Sequence, residues 1–154
     1  MTEQFNQSQI CPKGWVTIKK INAAGEVTQE FEVPNLVVTT GKVYIAGKMI
    51  ATDSNVPIAM SHMAIGTGTA SPAAEDTALG TQTGRVLLSG SLQENNSITY
   101  TATFPAGTGT GAITEAGIFN GSSGSATMLC RTVFPVVTKQ AGDTIAVTWK
   151  VTVS

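Results

Sequence analysis

The stretch TIAVTWKVTV, residues 144–153, alternates without a fault. Ile145, Val147, Trp149, Val151 and Val153 fall on one side, and Ala146, Thr148, Lys150 and Thr152 on the other. Successive side chains of a strand point to opposite faces, so this pattern specifies a β-strand with one buried face. A slip of one residue would turn the whole apolar set outward, which pins the register. SITYTATF, residues 97–104, repeats the pattern, with Ile98, Tyr100, Ala102 and Phe104 against Thr99, Thr101 and Thr103. Two such segments commit the chain to a sheet.

Six further strands are expected, over 14–21, 26–33, 60–66, 84–93, 113–120 and 127–134. Asn22-Ala23-Ala24-Gly25 has the chemistry of a hairpin turn between the first two, and Gly121-Ser122-Ser123-Gly124 joins another pair. The second strand places Val27, Phe31 and Val33 on its inner face, and Pro34-Asn35 is expected to interrupt it. TGKVYIAGKMIA, residues 40–51, sets Val43, Ala46, Gly47 and Ile50 at helical spacing behind a Thr suited to capping. The reading is all-β: a single antiparallel β-sandwich, jelly-roll-like, over residues 13–154, with one short helix. A parallel α/β fold needs a helix after nearly every strand, and the sequence does not supply them. Residues 1–12 are polar, lack periodicity and end at Pro12. They read as an extended N-terminal arm, with Phe5 and Ile10 as its attachment residues.

Charge narrows the function. Asp, Glu, Lys and Arg make up 12% of the 154 residues, against about 25% in typical soluble domains, and the net charge is −1. No run of Lys or Arg offers a footprint for nucleic acid or an anionic membrane. A near-neutral surface repels its own copies weakly, and depletion of charge is a mark of interface cores. A homo-oligomer, dimer or trimer, is expected. No apolar stretch approaches the ~20 residues of a membrane span. Cys11 and Cys130 do not form a disulfide framework, and Cys130 lies in an apolar strand as a small buried hydrophobe.

Catalytic motifs fail on inspection. Gly66 and Gly68 lack the third glycine of a dinucleotide fingerprint, and Ser71-Pro72 follows instead of a helix. TTGKVY has neither the leading glycine nor the Ser/Thr of a phosphate-binding loop. The glycine run at 105–111 lies between strands, with no helix N-terminus to receive an anion. His62, the one histidine, has no partner for a metal site and no nucleophile elbow nearby, so a packing role is expected. No catalytic residue, cofactor or metal is assigned.

Glu115 carries a sharper signal, because AITEAGIFN sets a carboxylate among apolar residues. Arg85, in GRVLL, and Arg131, in MLCRTVF, are the candidate partners. An isolated buried charge costs several kcal/mol, so either a guanidinium pairs with Glu115 or the side chain faces solvent. A pair would be structural, since no second carboxylate is placed for acid–base work.

Four blocks taken together resemble small structural proteins of tailed bacteriophages, the capsid decoration (cement) or tail-fibre-associated type. They are VPNLVVTTGKVYIAGKM, SHMAIGTGTASPAAEDTALGTQTGR, ITYTATFPAGTGTGAITEAGIFN and MLCRTVFPVVTKQAGDTIAVTWKVTVS, spanning about residues 33–154. The resemblance implies a virion protein made in the host cytoplasm and without enzymatic activity. Its partners would be the major capsid protein or other virion proteins, with neither nucleic acid nor membrane bound. Decoration of the shell is the expected role. A tail, collar or fibre adaptor is the alternative, and a glycan-binding module is a further one.

Overall fold

A computed structural model describes residues 12–50 and 56–153. Nine strands and one helix follow in order: β1 (Pro12–Ile21), β2 (Val27–Val37), α1 (Thr39–Lys48), β3 (His62–Gly66) and β4 (Gln82–Leu87). Then come β5 (Gly90–Glu94), β6 (Ser97–Phe104), β7 (Gly111–Phe119), β8 (Met128–Lys139) and β9 (Thr144–Val153). They form one antiparallel sheet, ordered β4-β3-β7-β8-β2-β1-β9-β6-β5 and curled into a half-barrel. Phe5, Ile10 and Cys11 lie outside the described residues, and Pro12, read as the end of the arm, opens β1.

The alternating strands build the interior. Val16 of β1 faces Trp149 of β9, which faces Tyr100 of β6, and Ile18, Val147 and Ala102 form the next row. These side chains, with Phe104 and Ile145, are buried against Met63, Ile65, Ile113, Ile118 and Phe134 from the other half. The β1–β2 turn is held by Asn22, whose Oδ1 accepts the N–H groups of Ala24 and Glu26, both at 3.0 Å. That side chain supplies the backbone partners a tight turn needs.

Five expectations are corrected. Strand β2 is not interrupted at Pro34. It pairs with β1 as far as Asn35 and then with β8 at Leu36 and Val37. Proline has no N–H to give a ladder, so it is tolerated where a strand changes partners. The strand expected over 84–93 is two strands. Leu88 and Ser89 turn the chain from β4 to β5, donating to Ser61 and Thr101 carbonyls at 2.8 Å each. The continuous apolar run Val86–Leu88 hid that turn.

Val27 is exposed, while Phe31 and Val33 pack on the core. The helix presents a different face from the one expected: Gly41 is buried, Tyr44 and Ile45 touch the core, and Val43 is exposed. A Cβ at Gly41 would strike the Leu129 carbonyl, so the glycine sets how closely α1 lies on β8. Thr40 does not cap. Val38 holds that position, and the Thr40 hydroxyl donates to the Met128 carbonyl at 2.9 Å.

Candidate functional site

Strand β7 is buried on both faces from Ile113 to Phe119. Ile113, Ala116 and Ile118 face the interior, while Phe119 joins a second apolar cluster with Val38, Ala64, Leu79 and Met128. The segment 67–81 covers Glu115 on that second side. Opposite β7, β8 inserts extra residues between Val133 and Val137, a bulge that contains Pro135.

Glu115 is fully buried beneath this segment. Its Oε1 accepts the backbone N–H groups of Gly68 at 2.9 Å and Thr81 at 2.7 Å, and its Oε2 that of Gly80 at 2.9 Å. Arg131 adds Nε at 3.1 Å and Nη2 at 2.8 Å, both to Oε2. Burial alone would raise the Glu115 pKa. The N–H groups of Thr81 and Gly80, the Arg131 guanidinium and the N–H of Gly68 outweigh it and hold the carboxyl below its ordinary range. The rest of Arg131 is also used, with Nη1 on Asp76 Oδ2 and Nη2 on the Ala70 carbonyl, each at 3.0 Å. Asp76 accepts the Ala73 N–H at 2.9 Å, and the Ala74 carbonyl accepts the N–H of Thr39 at the start of α1.

The glycine-rich stretch therefore does cradle an anion, and the anion is the chain's own Glu115. A Cβ at Gly68 would stand 2.5 Å from Oε1. Of the two candidate arginines, Arg131 meets Glu115 and Arg85 does not. The Arg85 guanidinium lies over the Phe119 ring, 3.8 Å from its centroid, and donates to the Gly121 and Ser123 carbonyls and to Gln82.

His62 sits at the start of β3 with its Nδ1 2.8 Å from the Ser61 hydroxyl oxygen. Among the described residues no carboxylate hydrogen-bonds to it, and no three His, Cys, Asp or Glu residues group as metal ligands. Cys130 is buried, and burial pushes its thiol pKa far up, in keeping with a packing role.

A second staple has no counterpart in the sequence reading. Lys139, fully buried, donates to the Pro105 carbonyl at 2.9 Å and the Asp143 carbonyl at 2.6 Å, joining two loops at one end of the half-barrel. Burial lowers its pKa, against the attraction of Asp143. The signal was there: Lys139 continues the parity of Val137 in VVTK.

No protein-family model matches the chain, and the searches of curated proteins and of solved structures find no similar one. Among the described residues no helix is long and apolar enough to cross a membrane.

Proposed function

We propose that this is a virion structural protein of a tailed bacteriophage, a capsid decoration (cement) protein that binds the assembled shell and stabilises it. The observation that supports this reading is the outer face of β1, β9 and β6. There Thr17, Thr148 and Thr101 stand in one row, Lys19, Ala146 and Thr103 in the next, and Trp15, Lys150 and Thr99 in a third. The five threonines and Ala146 of this face lose little rotamer freedom on contact, which suits a broad interface. The buried charges Glu115, Arg131 and Lys139 are spent on holding loops, which suits a rigid binding module with no catalytic role.

In this reading the curled sheet acts as a jelly-roll-like sandwich, assembled as a dimer or trimer. Its partner is the major capsid protein or another virion protein, with neither nucleic acid nor membrane involved. Residues 1–11 serve as an attachment arm, since Pro12 belongs to β1.

The test adds purified protein to undecorated capsids and follows copy number and the temperature of genome release. A ligand that binds only the intact shell stabilises it by about 2.7 kcal/mol per site at a hundredfold excess over Kd. Saturable binding in many copies with a raised release temperature is expected. Binding to isolated tails or fibres with none to shells transfers the protein to the tail, collar or fibre adaptor role. The exposed ring of Trp15 favours one further reading, a glycan-binding module, which glycan-array binding would support.

A further inference from the structure

Where β2 leaves β1 for β8, the sheet opens. Pairing of β2 with β1 begins at Gly14, so Pro12 and Lys13 pair with β9 alone, and among the described residues no strand lies along their other edge. A groove of about 360 Å³ lies at this opening, walled by Pro12, Trp15, Pro34 and Leu36. Trp15 is 59% exposed, a large apolar ring held out from a rigid strand.

The rim is cationic. Lys13 and Lys42 line the groove, and Lys150 stands cross-strand from Trp15. The ion pairs of the described residues engage Lys19, Lys20 and Arg131 and leave these three lysines without a carboxylate. Asn35 lines the same groove at the point of divergence. Its amide turns inward, against Gly14 and toward the buried Cys130 thiol, away from the Trp15 side of the sheet.

We propose that this groove docks an extended, acidic segment of a partner protein, anchored by an apolar side chain against Trp15. The segment would run alongside β1 where β2 has departed, a short case of strand addition. Its carboxylates would meet Lys13, Lys42 and Lys150. The open strand edge favours a peptide over a sugar, which would use the ring and the cations but not the edge. Only the choice of a protein partner rests on the virion reading, and the experiment below uses no shells, so each idea can fail without the other.

The full chain is immobilised and a pool of random dodecapeptides is selected on it. A recovered peptide is then synthesised and titrated by tryptophan fluorescence. Trp149 is fully buried, so a binding-dependent change reports Trp15. Acidic sequences carrying one large apolar residue are expected, with binding about tenfold weaker at ~0.5 M than at ~0.05 M salt, as screening requires. Trp15→Ala should abolish binding, Lys13→Ala and Lys42→Ala should each weaken it several-fold, and Lys19→Ala, remote from the groove, should leave it unchanged. Thermal melts of each variant confirm that the fold is intact. Recovery of neutral or basic sequences, or of none, overturns the proposal. So does binding that survives Trp15→Ala, or saturable binding of sialyllactose with no peptide recovered.

Discussion

The Glu115 carboxylate accepts from five donors, three backbone N–H groups and two guanidinium nitrogens. Protonation would set an O–H against partners that can only donate, so the neutral acid has no favourable place in this pocket. Because the folded-state pKa is lowered, the stability Glu115 contributes is fully present above the unfolded value of about 4.3. It is lost as pH falls through the folded value. Denaturant unfolding followed from neutral pH into acid should show that loss, and Glu115→Gln should remove this part of the slope. Glu115→Ala leaves Arg131 buried with only Asp76 opposite, and should cost about 3–5 kcal/mol. A loss within half a kcal/mol would show that the segment 67–81 does not depend on the carboxylate. Lys139 gives a slope of the same sign in the alkaline range. Burial lowers its folded pKa, so the unfolded chain holds more protons between that value and about 10.4, and stability should rise with pH there. Lys139→Met should flatten that alkaline rise, while stranding the Pro105 and Asp143 carbonyls and lowering the melting temperature.

The segment 67–81 is ordered by what lies beneath it, since its Gly68, Gly80 and Thr81 amides close on one carboxylate. Gly68→Ala would force a methyl group against Glu115 and should cost about 1–3 kcal/mol by thermal melt. A neutral result would mean the segment can shift without loss. Elements of this kind mark the limit of what the sequence shows. The strands β6 and β9 were legible because period-2 alternation is a local signal, and their inner residues Tyr100, Phe104, Val147 and Trp149 are all buried. The helix was legible as a helix but not in its orientation, because the close approach of Gly41 to Leu129 is a tertiary fact. The site was legible as a question: Glu115 stood out among apolar neighbours, and two arginines were offered to it. Choosing Arg131 requires the register that sets Gly117 opposite Arg131 and brings that side chain to the Glu115 face. Asp76 and the three cradling amides are brought in by a segment without periodicity, so nothing local announced them.

The strand order places β1 beside β9, with Pro12 opposite Val153 and Ile21 opposite Thr144. This bears on the proposed arm. Pro12 and Lys13 belong to the ladder with β9, so a cut meant to remove only the arm should begin the chain at Pro12. That truncation should leave the unfolding midpoint nearly unchanged while weakening attachment to particles. A lowered midpoint would assign residues before Pro12 to the core. The same adjacency decides when the protein can fold at all. On the ribosome β1 and β2 emerge first as a hairpin, yet β1 finds its second neighbour, and β6 its link to the rest of the sheet, only when β9 has been made. An isolated hairpin is marginal in water, and pairing across such a sequence separation is slow. The apolar faces of Val16, Ile18, Tyr100 and Phe104 must therefore wait, open to aggregation, until synthesis has delivered Trp149. Slow translation at low temperature would prolong that wait, whereas a permuted chain starting at β9 and running on into β1 would abolish it.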